Sequence, residues 1–420
     1  MNSLRRRLLV LALVFATAGA ASLTPTALAA TPCSPANPAA RAEVVVKLAP
    51  GHTIGEVLAA FPVELGPRLL SSHGLYVVRA TEPQYCRTVQ WSKKLAVRIR
   101  ANGAVSYAQS NLPADLSDGR FHAWPQGDPD DAGTDSAVWT NQAASRQLQL
   151  AASHRLSTGA GILVAVLDTG AELNHPAFAG QLQAGWDYVD DDPNPSEVQN
   201  GRDDDGDGAV DESYGHGTFV SGVVAMTAPG ARIMPMRVLD SDGRGNLFVV
   251  AEAITDAVNA GADVINLAFG TDTKPEATLL KDAIKLARAR GVVITASAGN
   301  ESSTAEQYPA ALGEILAVSA LRADLQQLAL FSNSGDWVDV AAPGVLVVGP
   351  VPGGRYAYWN GTSVAAPFVA GQAALIRSRQ PRLDANKVID AITGSTTVIK
   401  ATGQPDVHRI NILRSLTYPK

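Results

Sequence analysis

Charge, aromatic side chains and cysteine are all scarce in this chain. Of 420 residues, 18% are charged, 6% are aromatic and two are cysteine, while 46% are hydrophobic and the net charge is −6. A charged fraction below the ~25% of an average globular domain, with this much apolar content, excludes a disordered chain. The mild acidity is spread along the sequence, so nothing favours a polyanion and no nucleic-acid partner is expected. The H-E-x-x-H pattern of zinc peptidases is absent, as is the G-x-S-x-G nucleophile elbow of esterases and lipases. No uncharged apolar run reaches the ~20 residues that span a bilayer, so no stable membrane anchor is expected.

What is present begins with an export signal. Arg5, Arg6 and Arg7 precede an apolar stretch from Leu8 to Ala21, and Ala27-Leu28-Ala29 supplies the small residues a signal peptidase accepts. Residues 1–29 therefore read as a secretory signal, and the mature protein as extracellular. Secretion permits a disulfide, for which Cys33 and Cys86 are the only candidates; the alternative is two inert thiols.

Residues 30–112 carry a small α+β pattern. Val44-Val45-Val46, Leu75 to Val78 and Ala104 to Tyr107 read as strands, with a helical period from Ile54 to Phe61. Pro113 to Asp135 turns rich in Asp, Gly and Pro, which is linker chemistry, and the linker is placed at residues 113–145. From 146 to 420 apolar strands alternate with amphipathic helices. Ile162–Leu167, Ile233–Leu239, Val264–Leu267, Val292–Thr295 and Ile315–Ser319 are continuous apolar runs of the kind buried on both faces. Helical spacing over Leu247–Asn259 and Leu279–Ala289 stops at Gly261 and Gly291, each suited to a left-handed cap. Alternation of this kind predicts an α/β fold, a doubly wound parallel sheet whose functional groups gather at the carboxyl ends of strands.

Three short motifs fall at such ends. Asp168-Thr169-Gly170 follows the first strand, and His216-Gly217-Thr218 opens the helical segment Phe219–Ala225. Gly361-Thr362-Ser363-Val364-Ala365-Ala366-Pro367 precedes another helical run, and proline's tolerance within a first turn places the helix start near Ser363. A serine hydroxyl is a poor nucleophile without an imidazole to take its proton, and that imidazole needs a carboxylate to hold its tautomer. Asp168, His216 and Ser363 occur in the chain order of one known class of serine hydrolase.

These three motifs resemble the signature motifs of the subtilisin-like serine proteases, the subtilases, over roughly residues 146–415. The resemblance implies a secreted endopeptidase with Asp168, His216 and Ser363 as its triad. Ser297-Ala298-Gly299-Asn300 resembles the family's oxyanion motif, which gives Asn300 that role. Ala268-Phe269-Gly270, Ala298-Gly299 and the opposite rail through Gly243 and Gly245 would bind an extended peptide or protein substrate. Phe219 and Phe368 stand where the family commonly has His, and Val364 where it commonly has Met, which implies altered packing rather than lost catalysis. Asp203, Asp205, Asp207 and Asp211 lie in an acidic loop whose start matches a calcium-binding pattern, but whose twelfth position is Tyr214. It holds Ca²⁺ or is a solvated acidic loop. No organic cofactor is expected. Residues 30–112 resemble an inhibitory propeptide, with a permanent accessory domain as the alternative, and the processed enzyme is expected to be a monomer.

Overall fold

The computed structural model of the chain describes residues 43–70, 74–81, 89–110, 113–114, 133–204, 208–272, 274, 278–400 and 406–418. The expected signal segment and both Cys33 and Cys86 lie outside the described residues.

The N-terminal unit is an antiparallel sheet with two helices: β1 (Glu43–Leu48), α1 (Ile54–Ala60), β2 (Val63–Leu70), β3 (Leu75–Ala80), α2 (Val89–Arg100) and β4 (Val105–Ser110), in strand order β2-β3-β1-β4. The unbroken Val44-Val45-Val46 run has a direct cause. Val44 and Val46 pack with Val57, Leu95 and Ile99 of the unit's own helices, while Val45, Leu75 and Val77 turn to the other face and join the core of the large domain. Both faces of this small sheet are thus covered.

Two residues of β5 (Pro113–Ala114) follow the unit. Three short helices, α3 (Ser136–Thr140), α4 (Ala143–Gln147) and α5 (Leu150–His154), then lead into the large domain. Residues 136–145 read in sequence as the end of a linker, yet Trp139 and Ala144 are buried in the domain core, with the Trp139 ring stacked on Tyr356 at 5.7 Å. The segment is too short and too polar for its helical period to show before it packs.

The large domain is built on nine strands in the order β16-β17-β13-β12-β11-β10-β6-β8-β7. In chain order the elements are β6 (Leu163–Asp168), β7 (Trp186–Asp187), α6 (His216–Thr227), β8 (Arg232–Arg237), β9 (Gly245–Asn246), α7 (Leu247–Asn259), β10 (Val264–Leu267), α8 (Thr278–Ala289), β11 (Val293–Ser297), β12 (Leu316–Leu321) and β13 (Val340–Pro343). There follow β14 (Val347–Val351), β15 (Arg355–Trp359), α9 (Thr362–Arg379), α10 (Ala385–Thr393), β16 (Thr397–Ile399), β17 (Val407–Arg409) and α11 (Ile412–Ser415). Pairing is parallel from β7 through β17, and only β16 runs antiparallel. This is the α/β fold the alternation predicts.

Alternate side chains of each central strand enter two separate cores. Val164 and Val166 face α6 and α9, whereas Leu163, Ala165 and Leu167 face α7 and α8. Each fully buried Leu or Val side chain contributes about 1.5–3 kcal/mol, so the register Leu167↔Leu267↔Ala296 across β6, β10 and β11 is tightly specified. Helices α7 and α8 end where expected, with Gly261 at φ +85° and Gly291 at φ +78°.

One expectation is modified. Helix α9 begins at Thr362, so Pro367 lies in the second turn rather than the first. Its missing N–H deprives the Ser363 carbonyl of its helical donor. Every residue from Thr362 to Ile376 is buried, and this packing outweighs the ~3 kcal/mol penalty of an internal proline.

Candidate active site

β6 is the first strand of the sheet; β8 is added on one side of it and β10 on the other. That reversal of direction opens a crevice at the carboxyl ends of β6 and β10, where open α/β sheets place their ligands.

Asp168 is the last residue of β6 and is fully buried. Its Oδ1 accepts from Nδ1 of His216 at 2.8 Å and from the Thr169 N–H at 2.8 Å. A carboxylate can only accept, so Nδ1 of the imidazole carries the proton and Nε2 presents the lone pair in the neutral ring. His216 is the first residue of α6. Its approach to Asp168 depends on Gly217, where a Cβ would lie 2.1 Å from the Gly170 carbonyl oxygen. No larger residue fits there.

Ser363 is the second residue of α9 and fully buried. Helices α6 and α9 pack side by side; a Cβ at Gly371 would stand 2.5 Å from the Thr227 Cβ, so only glycine permits the approach. Both helices begin at the crevice. Trp359 closes the gap before α9, its ring meeting His216 edge-on at 5.3 Å and Phe219 at 5.6 Å. Phe219 and Phe368 are both fully buried, as packing substitutes would be.

Asn300 follows β11, and its Oδ1 accepts from the N–H of Thr362 at 2.9 Å and from its Oγ1 at 3.0 Å. A backbone N–H can only donate, which settles the orientation of the amide. Nδ2 therefore points away from Thr362, buried and with no partner in the protein. A buried amide donor left open beside a helix N-terminus is suited to receive a developing negative charge.

The substrate-rail candidates divide. Gly245 lies in β9, which pairs antiparallel with β5 through Pro113↔Asn246 and Ala114↔Gly245. Gly243 shapes the turn before it, donating to the Asp240 carbonyl at 3.0 Å. Ala268, Phe269 and Gly270 continue from β10 at the crevice; all three are buried, and the Phe269 ring packs among the α7 and α8 side chains. Ala298 and Gly299 follow β11, and the Gly299 N–H donates to Thr362 Oγ1 at 3.0 Å.

In the acidic loop, Asp203 accepts from the Gly208 N–H at 3.1 Å, and Asp211 accepts from those of Asn200 at 2.9 Å and Gly201 at 3.0 Å. Asp205 and Asp207 lie outside the described residues. Among the described residues no group of three or more His, Cys, Asp or Glu is placed to hold a metal.

Sequence reasoning passes over three residues that build this site. Asn333 accepts from the N–H groups of Glu301 at 3.0 Å and Ser303 at 2.9 Å, and donates to the Ala298 carbonyl at 3.0 Å, so it holds the loop that carries Asn300. Trp359 and Glu197 are the others. Asn333 and Glu197 sit in loops with no periodicity to mark them, and Trp359 ends the short strand β15.

The sequence profile of the Subtilase family, Peptidase_S8, matches residues 159–410. The chain is similar to a thermophilic serine proteinase of Bacillus sp. (strain AK1), 38% identical over 270 residues that make up 61% of this chain and 61% of that protein. The match therefore spans less than two thirds of that relative. It is also similar to thermitase of Thermoactinomyces vulgaris, 35% identical over 290 residues, 66% of this chain and 97% of that protein. Among solved structures, fervidolysin from Fervidobacterium pennivorans, a keratinolytic enzyme related to subtilisin, has a TM-score of 0.68 at 23% identity, covering 90% of this chain and 61% of that chain, a likeness of fold. A cold-adapted subtilisin-like serine proteinase has a TM-score of 0.53 at 28% identity, covering 60% of this chain and 89% of that chain. With the family profile matching more than half its length, this chain belongs to the subtilase family.

Proposed function

We infer that the protein is a secreted serine endopeptidase, made as a self-processing precursor, that cleaves peptide bonds through an acyl-enzyme. The observation that carries this reading is the 2.8 Å bond between the buried Asp168 and His216 at the carboxyl end of β6. It orients an imidazole for general-base work at the end of the sheet where α9 presents Ser363.

The Ser363 hydroxyl attacks the substrate carbonyl while His216 Nε2 takes its proton. Asp168 holds the tautomer and stabilises the imidazolium. Negative charge on the carbonyl oxygen is met by the Asn300 Nδ2 donor and by the Ser363 backbone N–H at the helix N-terminus. The imidazolium then protonates the leaving amine, and water deacylates the ester. Extended substrate lies between the rail at Gly243 and Gly245 and the rail at Ala268, Phe269 and Gly270, with Ala298 and Gly299 flanking the pocket.

Residues 30–112 act as the propeptide. Supporting this, the segment directly after β4 already pairs as a strand with Gly245–Asn246, the place an extended substrate would take. Residues 1–29 direct export, and no helix among the described residues is long and apolar enough to cross a membrane. The processed enzyme works as a monomer. Calcium takes oxygen ligands, and Asp203, Asp205, Asp207 and Asp211 are its candidate donors here; no step of the chemistry passes through it.

Replacing Ser363 with Ala tests the reading. Release of the N-terminal unit and hydrolysis of casein should both stop, and continued cleavage by the S363A chain would overturn it. Failure of the processed protein to react with a fluorophosphonate probe would favour instead a non-catalytic binding protein on the same scaffold.

A further inference from the structure

Glu197 lies in the loop between β7 and α6, outside every motif described above. The residue is half-buried, but its carboxyl turns inward onto four donors. Oε1 accepts from Thr169 Oγ1 and from the N–H groups of Gly215 and Gly217, both at 3.1 Å; Oε2 accepts from Thr218 Oγ1. Thr169 is the residue after Asp168, whereas Gly215 and Gly217 flank His216. One carboxylate therefore joins the strand end that supplies the acid to the helix start that supplies the imidazole.

The backbone reinforces the same link. The Ala171 N–H donates to the Pro195 carbonyl at 3.0 Å, and the Glu197 N–H donates to the Ala171 carbonyl at 3.4 Å. The loop thus runs beside the turn that follows Asp168 and holds the Glu197 side chain under it. Thr218 Oγ1 accepts from the Glu172 N–H at 2.8 Å, which leaves its hydroxyl hydrogen for Glu197. The Gly217 N–H is shared with Thr169 Oγ1 at 2.9 Å, and of the four donors the Thr218 hydroxyl is the one that an amide's NH₂ in place of Oε2 would leave without an acceptor.

Burial pushes the Glu197 carboxyl above the usual carboxylate range and the charge of Asp168 adds to the push, while the bonds from Thr169 and Thr218 oppose it. Keeping a second carboxylate this near Asp168 costs free energy. A role in the local geometry would explain its presence.

We propose that Glu197 is a positioning residue of the active site, whose carboxylate clamps the Asp168 turn to the start of α6 and so fixes the His216 ring against Asp168. It does not touch substrate. The proposal rests on the peptidase reading for its kinetic consequence but not for its geometric one.

The test compares Glu197→Gln and the milder Thr218→Val with wild type on a chromogenic peptide anilide. It also compares the far-downfield proton resonance of the His216–Asp168 hydrogen bond in full-length chains that carry Ser363→Ala to prevent self-cleavage. In Glu197→Gln one amide hydrogen must confront a donor, the ring is released by a fraction of an ångström, and kcat should fall by about 10–100-fold with KM within twofold of wild type. Thr218→Val should lower kcat by roughly tenfold, and the resonance should shift or broaden in both variants. If Glu197→Gln does not fold, Thr218→Val and its resonance decide the matter. Wild-type kcat together with an unchanged resonance would overturn the positioning role. A wild-type chain that cleaves no peptide, but whose resonance moves in the variants, would instead sink the peptidase reading and leave the clamp standing.

Discussion

Asp168 and His216, forty-eight residues apart in the chain, share a 2.8 Å hydrogen bond in a space closed to solvent on both sides. The bond makes Asp168 the group that chooses which imidazole nitrogen is free. Asp168→Asn should therefore leave the fold and peptide binding in place but lower kcat by about 10⁴-fold, because an amide can hold the wrong tautomer. Steady-state kinetics beside a thermal melt would check this. A variant that keeps more than a tenth of wild-type kcat would refute the assignment.

Asn300 bonds through Oδ1 to Thr362 and leaves Nδ2 open. Asn300→Ala should cost about 10²–10³ in kcat, the loss seen for one oxyanion donor in a subtilisin, with KM little changed. Asn300→Asp keeps the acceptor for Thr362 but removes the donor. It should be no better than the alanine variant, and recovery of activity in it would show that Asn300 acts only by holding Thr362.

Lys47 of β1 reaches Glu252 of α7 at 3.1 Å, and beside it the Tyr107 ring meets Phe248 at 6.1 Å. Lys47→Glu sets like charges across the seam between the two units. With about 1 kcal/mol at stake in a partly exposed pair, the cleaved N-terminal unit should dissociate roughly fivefold faster, shortening the lag before activity appears. An unchanged lag would mean that the seam does not control release.

Arg237 is buried and its Nη1 donates to Asp187 at 2.7 Å and to Asp190 at 2.6 Å. Asp187 already titrates above the usual range because burial outweighs its bonds to Arg237. Arg237→Leu leaves that carboxylate unpaired, at a cost of about 3–5 kcal/mol near neutral pH. A raised folded-state pKa means that the folded chain binds the proton more tightly than the unfolded one. Stability is then lost as pH rises through that pKa, and the gap in Tm between variant and wild type should be wider at pH 8 than at pH 5. A gap independent of pH would show that Asp187 is not the group left exposed to the penalty.

How much was legible beforehand follows from the range over which each signal acts. The strand Val264–Leu267 and the helix Leu247–Asn259 appear with the ends read from sequence, because apolar period and glycine caps are written within a dozen neighbouring residues. Asp168, His216, Ser363 and Asn300 were visible because each lies in a short motif at a strand or helix end. Pro367 was read too strictly: its local penalty is real, but burial on all sides of α9 carries the helix past it. Phe269 lies on the segment its motif marks as a substrate rail, and its ring packs into the core, which the motif does not show.

The sequence by itself determined the alternation of strands and helices, the order of the three motifs and the chemistry their side chains can perform, since these depend on residue type and near neighbours. Only the tertiary structure decided that Glu197 lies under both halves of the Asp168–His216 pair, that Asn333 holds the Asn300 loop and that Ala114 pairs with Gly245. Those contacts arise from backbone segments brought together by the twist and order of the sheet. A carboxylate or amide in an aperiodic loop carries no mark of its partner until the fold puts a donor in front of it.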